Sequence, residues 1–584
     1  MQRRLTALTA AAISLIPLSQ PVLMGSISIT TAAIAALLYN APATAQDISA
    51  VARIAKTITV RIEGATQGSG VIVKKEGNRY TVLTAWHVVS GNQAGEELAI
   101  TTTDKKQHLL EQGSIQRLGR IDMAVLTFSS PMVYEVAIIG DTKKVNYNDT
   151  IYVAGFPLSN SQNLRYEAGD VVANAEVGID QGYQLLYDNK TEAGMSGGVL
   201  LNSKGQLIGL HGRGEKDEYN TNQKEGSLKT GVNQGVPISY YKLFISGEPV
   251  IATKSNATNA DDYYAQILAS ANKKGREQTI IRLTNQALNL RKTSFAYIMR
   301  AYAKNDLGDY KGAIKDQTIA LEIKPNNEVA YLNRGLAKFN IGDIKGSLTD
   351  FNKSININPS HAIAFSNRGA GKQFLGDPQG ALADYKMALK INPRSDNAYA
   401  NRCMTKRSLG DAKGAIADCN KAIEINQQNA SAYTNRGNAK GDLGDAEGAI
   451  SDYIRTIKIS PNYPQPYMML GIYKLQAKSY KESINFFNRA EKLGLGNVFV
   501  FNGRAWARYE LKDYQGALLD TNKALELNPN DAATAAILDT QGLAKYALGK
   551  IQSGCKDLKM AVSLGAQPTK DYLNSDEGAW CRNM

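Results

Sequence analysis

Ser196 stands in Gly194-Met-Ser-Gly-Gly198, His87 in Thr84-Ala-Trp-His-Val88, and Asp122 in Asp122-Met-Ala-Val-Leu126. A serine hydroxyl is a poor nucleophile at neutral pH. It attacks a carbonyl only when an adjacent base takes its proton, and imidazole has a suitable pKa. Read singly, the three residues have plainer meanings: a core histidine, a turn aspartate and a glycine-rich turn. The chain has four histidines in all, and His108 and His361 lie in polar contexts that read as surface.

Residues this far apart in sequence meet only on a rigid scaffold, and residues 48–248 are written in strands. Segments 58–62, 70–73, 80–83, 124–128, 151–154 and 206–210 are short and rich in β-branched residues, and Gly, Asn and Asp punctuate them. Many short strands in a stretch of about 200 residues predict an all-β barrel or sandwich unit.

The order His87, Asp122, Ser196 within an all-β region resembles the chymotrypsin-like serine peptidases over roughly residues 50–245. The resemblance implies two barrels with the active site between them. His87 would be the general base, Asp122 the group that holds its tautomer, and Ser196 the nucleophile. The backbone N–H groups of Gly194 and Ser196 would face the developing oxyanion, each contributing about 2.7–4 kcal/mol to the transition state. Animal digestive members carry aspartate just before the serine to pair with a new N-terminus; Met195 cannot make that pair. This half contains no cysteine, as in bacterial relatives.

In this fold the residues before the nucleophile and a later strand line the primary pocket, here Thr191, Glu192 and Ala193, then His211-Gly-Arg-Gly214. Bacterial glutamyl endopeptidases are similar in having threonine five residues before the serine and histidine fifteen after it; Thr191 and His211 match both spacings. The hydroxyl and imidazole would bind a substrate carboxylate, with Arg213 adding charge if it points inward. The expectation is cleavage after Glu or Asp. Lys190, where trypsin-type members carry aspartate, disfavours cleavage after Lys or Arg.

From about residue 265 the pattern changes to helices. Proline recurs at Pro325, Pro359, Pro393, Pro461 and Pro529, with Gln427 and Leu495 in the missing slots, so every step is 34 residues. Gly-Asp pairs recur at Gly308, Gly342, Gly376, Gly410 and Gly444. Small residues recur at Ala301, Gly335, Gly369, Cys403, Gly437, Gly471 and Ala505. This resembles the tetratricopeptide repeat, which implies a solenoid of paired helices. Arginine at 300, 334, 368, 402, 436 and 504 is followed 16 residues later by aspartate. The one repeat lacking the arginine, at Leu470, has Phe486 in place of the aspartate. Joint loss predicts an ion pair between the two helices of each repeat, since either charge alone in a partly buried site is costly. Asn333, Asn367, Asn401 and Asn435 hold the neighbouring position. The family resemblance places it on the concave groove, where the amide would bind an extended peptide or, equally well, bond between repeats.

The expected organisation is an export signal at 1–45, a peptidase domain at 48–248, a linker at 249–264, a degenerate first repeat at 265–293, seven repeats at 294–531 and a degenerate cap at 532–584. The leader has Arg3 and Arg4, apolar runs and a small-residue cleavage site at Ala43-Thr-Ala45. Left uncut, it would anchor the chain in a membrane. Export to a periplasm, another extracytoplasmic lumen or the medium makes disulfides permissible. Cys403–Cys419 would link two helices of one repeat and Cys555–Cys581 the last helices, with free buried thiols as the alternative. The net charge of +13 comes with no dense basic tract, so nucleic acid is not an expected partner. The fold class is therefore multidomain, an all-β two-barrel domain followed by an all-α solenoid. The expected function is a serine endopeptidase acting on protein or peptide substrates, with a protein partner on the repeats and no cofactor or metal. The rival is an inactive protease-fold scaffold or adaptor.

Overall fold

A computed structural model describes residues 45–64, 66–91, 98–111, 113–158, 162–189, 191–213, 232–250, 257–271 and 275–582. Residues 1–44 of the proposed export signal, Lys190 and residues 251–256 of the proposed linker lie outside them. The chain divides into two compact units, one running to Gly371 and one from Lys372.

The first unit opens with helix α1 (Ala45–Ile58), whose Val51, Ala55 and Ile58 recur on one face and are buried. Strands β1 (Thr59–Glu63), β2 (Gly68–Glu76), β3 (Arg79–Thr84), β4 (Ala99–Thr101), β5 (Gln107–Leu109), β6 (Gln116–Arg117) and β7 (Ala124–Ser129) form a seven-stranded sheet in the order β5-β4-β1-β2-β3-β7-β6. The one-turn helix α2 (Trp86–Val89) follows β3. Strands β8 (Thr150–Gly155), β9 (Arg165–Ile179), β10 (Tyr183–Tyr187), β11 (Val199–Asn202), β12 (Leu207–Arg213) and β13 (Asn233–Pro237) close a barrel in the order β10-β13-β12-β11-β8-β9. Of the two barrels expected, one closes among the described residues. In the other sheet no pairing joins the edge strands β5 and β6.

Helices α3 (Ser239–Ser246) and α4 (Ala260–Ala271) follow. α4 begins inside the segment expected to be linker, and it packs on β9. Asp262 Oδ1 accepts the backbone N–H groups of Glu176 (2.9 Å) and Val177 (3.0 Å), and Asp261 Oδ2 accepts that of Asn174 (3.2 Å). These donors sit on a strand whose pairing with β10 shifts register, and the helix supplies them with acceptors. Tyr264, Ile267 and Leu268 join the same apolar core as Ala173, Ala175 and Ile179 of β9.

In both units the repeated residues explain the repeated structure. Gly308, Gly342, Gly376, Gly410 and Gly444 have φ between +81° and +85°, which ends each first helix. The aspartate that follows each glycine caps the next helix; Asp309 accepts Gly312 N and Asp411 accepts Gly414 N at 2.9 and 2.8 Å. The expected arginine–aspartate pairs form in the first unit at Arg300–Asp316 and Arg334–Asp350, and in the second at Arg402–Asp418, Arg436–Asp452 and Arg504–Asp520. Each aspartate also receives a cation one turn further along, as Lys338 to Asp350 at 2.8 Å. Where the pair is missing, Leu470 is buried and Phe486 packs in the same apolar cluster.

Both cysteine pairs are disulfides, Cys403–Cys419 and Cys555–Cys581. Of the two histidines read as surface, one is buried and the other half-buried. His361 is buried, and His108 Nε2 meets Tyr134 Oη (3.0 Å) while its ring packs on Phe128. Polar neighbours in sequence concealed apolar neighbours in space.

Candidate active site

His87 follows the end of β3 and Asp122 precedes the start of β7; because the two strands are antiparallel and Thr84 is opposite Ala124, both residues sit at the same end of the pair. The Asp122 carboxylate is buried; its Oδ1 accepts the His87 backbone N–H (2.9 Å), and its Oδ2 meets His87 Nδ1 (2.7 Å). Burial pushes the Asp122 carboxyl up, but the hydrogen bond and charge of His87, with the Tyr183 hydroxyl, outweigh it and hold the group below the usual carboxylate value. The His87 side chain is partly exposed.

Ser196 enters from the barrel, on the turn before β11. Gly194 and Gly197 on either side adopt positive φ, +93° and +82°. Ser69 of β2 ties this turn to the first sheet. Its N–H donates to Ser196 O (2.8 Å), its Oγ donates to Gly194 O (3.2 Å), and Thr84 Oγ1 donates to Ser69 O (2.7 Å). A Cβ at Gly197 would lie 2.1 Å from Ser69 O and 2.3 Å from Thr84 Oγ1, so only glycine admits the turn this close to β2 and to the end of β3 that leads to His87. The Ser196 hydroxyl donates to Gly212 O (3.1 Å) and makes no hydrogen bond to His87. The N–H groups of Gly194 and Ser196 donate to no described residue. Met195 is fully buried in the barrel core.

Of the proposed pocket residues, Thr191 and His211 each bond to a residue of a barrel strand. Thr191 Oγ1 donates to Asn233 Oδ1 (2.8 Å) on β13. His211 is buried, and its Nδ1 meets Tyr187 Oη (2.6 Å) on β10. Between them in the sheet Gly235 of β13 is opposite His211, and a Cβ there would lie 3.1 Å from Tyr187 Cε1; the missing side chain lets the two rings meet across the middle strand. Burial, and then the charge of His87, push the His211 imidazole down to about 3. His211 is therefore neutral at pH 7. Glu192 pairs with Arg165. The Arg213 backbone is on β12, and its side chain lies outside the described residues, as does Lys190. Sequence reading missed Ser69, Thr84, Tyr183, Tyr187, Gly212 and Asn233. Thr84 lies within the histidine motif and Gly212 within the pocket segment 211–214, though the sequence assigns neither its role; the others have no local signal, because their contacts join strands far apart in the chain.

Among the described residues no group of His, Cys, Asp and Glu is arranged to hold a metal ion. On the Asn333 and Asn367 side chains the buried amide nitrogens have no hydrogen-bond partner among the described residues, whereas Asn435 Nδ2 donates to Ala400 O of the preceding repeat (3.1 Å).

Fold and site together define a trypsin-like peptidase domain joined to tetratricopeptide repeats. Residues 68–210 match the family described as trypsin-like peptidase domain. Residues 296–327, 329–361, 397–429, 430–463 and 498–531 match tetratricopeptide repeat families. The chain is 28% identical over 155 residues to the serine protease Do-like HtrA of Lactobacillus helveticus, covering 26% of this chain and 36% of that protein. It is 30% identical over 153 residues to the serine protease Do-like HtrA of Lactococcus lactis, covering 25% of this chain and 36% of that protein. It is 29% identical over 173 residues to a glutamyl endopeptidase of Staphylococcus epidermidis, covering 27% of this chain and 58% of that protein. The chain thus spans about a third of the length of the HtrA relatives.

Proposed function

We propose that this chain is an exported serine endopeptidase that hydrolyses peptide bonds through an acyl-enzyme, with its repeats recruiting a protein substrate or partner. The observation that carries the reading is the buried Asp122 bonded to His87 beside a serine turn tied by Ser69 to the same sheet. In the reaction the Ser196 hydroxyl swings from Gly212 O toward His87. Its oxygen bonds to the scissile carbonyl carbon as its proton passes to His87 Nε2. The Gly194 and Ser196 N–H groups bind the oxyanion, and the His87 proton goes to the amine as the C–N bond breaks. Water then attacks the acyl-enzyme by the same route, and Ser196 regains its proton. Asp122 stays ionised throughout.

For specificity we retain cleavage after acidic residues. With Tyr187 donating to Nδ1, a neutral His211 carries its proton on Nε2 and offers a donor to a carboxylate. The resemblance to a glutamyl endopeptidase supports this, although Thr191 already gives its proton to Asn233. Two disulfides support an oxidising compartment. No helix among the described residues is long and apolar enough to cross a membrane. The unpartnered amides of Asn333 and Asn367 support peptide binding in the groove, and the Asn435 bond supports a structural role at that position.

The scaffold alternative rests on the absent Ser196–His87 bond, and covalent labelling decides between them. The full chain is expected to react with a fluorophosphonate probe, the Ser196→Ala variant not to react, and Asp122→Asn to slow turnover by about 10⁴-fold. An unlabelled, folded wild type would leave the scaffold. Digestion of a peptide library is expected to cut after Glu or Asp; basic or bulky apolar preference would end the acidic-pocket reading.

A further inference from the structure

We propose that Tyr183 is a positioning residue of this site, orienting Asp122 and holding it ionised through a hydrogen bond from its hydroxyl; the proposal rests on the peptidase reading above. Tyr183 opens β10 in the barrel, whereas Asp122 lies in the bend before β7 of the other sheet, and both are fully buried. The carboxylate takes three donors. Oδ1 accepts the His87 N–H (2.9 Å), while Oδ2 accepts both His87 Nδ1 (2.7 Å) and the Tyr183 hydroxyl. The Asp122 N–H in turn donates to Gln181 O (2.9 Å), so the turn that leads into Tyr183 is latched to the aspartate at both ends.

The ring is held as firmly as the hydroxyl. A Cβ at residue 212 would lie 2.1 Å from Tyr183 Cε1, so the tyrosine requires glycine there. Gly212 O is the acceptor that holds the Ser196 hydroxyl (3.1 Å). One side chain therefore reaches the acid through its oxygen and, through its ring, shapes the strand that meets the nucleophile. Packing alone would be served by phenylalanine; the hydroxyl adds a donor to a carboxylate that has left water.

The physical consequence is directional. A donor to the carboxylate lowers the proton affinity of the coupled Asp122–His87 pair and fixes the plane in which the imidazole sits. Without it, the pair takes up a proton at higher pH, the free base is lost sooner on acidification, and the imidazole is held less well.

The test is Tyr183→Phe in the full chain, which keeps the ring. Fluorophosphonate labelling of Ser196 is measured from pH 5 to 9, alongside kcat and KM on a peptide substrate. The expected result is kcat lower by about tenfold with KM unchanged, and an acid limb moved up by about half a pH unit. In an Asp122→Asn background, where no charge remains to be held, the same substitution is expected to add less than about twofold. An unmoved limb, whether or not the rate falls, would overturn the proposal, because a purely structural tyrosine changes the amount of competent enzyme and not its titration. An equal loss in the asparagine background would also overturn it. A wild type that does not label at all fails earlier, and overturns the peptidase reading together with this one.

Discussion

At the residue scale the chain places charge in expensive surroundings, and one instance sits just before the proposed pocket. Asp170 of β9 and Asp188, which follows β10, are buried and face Lys324 at 4.0 and 3.9 Å. Burial pushes the Asp188 carboxyl up to about 7 and the Asp170 carboxyl up by a lesser amount, and it pushes the Lys324 ammonium down. Because the folded value of Asp188 lies above its ordinary one, the fold favours its neutral form. Its contribution to stability is full below the ordinary carboxylate range and is lost as pH rises toward about 7. Asp188→Asn keeps an acceptor for Asp170 N–H, now 2.7 Å away, without the charge. The Tm of the variant relative to wild type is expected to rise by about 2–4 °C between pH 5 and pH 8. A gap that does not change with pH would refute the assignment.

At the element scale, the repeat has one site with two chemical solutions. In several repeats a small residue of the first helix receives a ring from the second. Gly335 faces Phe351, Gly437 faces Tyr453 and Gly471 faces Phe487, and a Cβ on each glycine would come within 2.9 Å of the ring. Cys403 and Cys419 occupy the same two positions, and there the ring-on-glycine contact is replaced by a covalent bond. The bond closes a short loop and contributes about 3 kcal/mol by constraining the unfolded chain. Cys403→Gly with Cys419→Tyr restores the neighbouring solution. It is expected to be more stable than Cys403→Ala with Cys419→Ala by about 2 kcal/mol in urea unfolding of the full chain, since the alanine pair leaves a cavity. Equal midpoints would show that the two positions do not exchange as a pair. The arginine ladder is likewise more than an internal pair: Arg334 Nη1 also reaches Thr318, and Arg436 Nη1 reaches Asn420, each on the preceding repeat (3.2 and 2.7 Å).

For the molecule as a whole, the boundary between the domain types is not a break in the core. One apolar cluster runs from Val51 and Leu83 through Tyr183 and Val236 to Tyr264, Leu283, Ile298 and Val329. A fragment ending at residue 250 loses α4 and the acceptors Asp261 and Asp262, and it uncovers the face of β9. Such a fragment is expected to bind a hydrophobic dye and unfold at lower urea than the first transition of the full chain. A fragment as stable as the full chain would show that the barrel core is closed without the helices. The last residues of the expected linker, 260–264, are instead helix, and for a physical reason. The polarity of Ser255, Asn256 and Asp261 resembles solvent-exposed chain, yet Asp261 and Asp262 spend that polarity on backbone donors of β9.

The helical register, the arginine–aspartate pairing, both candidate cysteine pairs and the order His87, Asp122, Ser196 could all be read along the chain. They are legible because a 34-residue repetition is a comparison of the chain with itself, and because short glycine-flanked motifs depend on local backbone. Folding in three dimensions was needed to establish that one barrel closes among the described residues, that Ser69 ties the serine turn to the first sheet, and that Tyr183 reaches Asp122. Each of these is a contact between segments distant in sequence, where either partner alone reads as an ordinary strand residue. The same is true of the burial of His361 and the half-burial of His108, since burial is a property of what folds over a residue and not of what stands beside it in the chain.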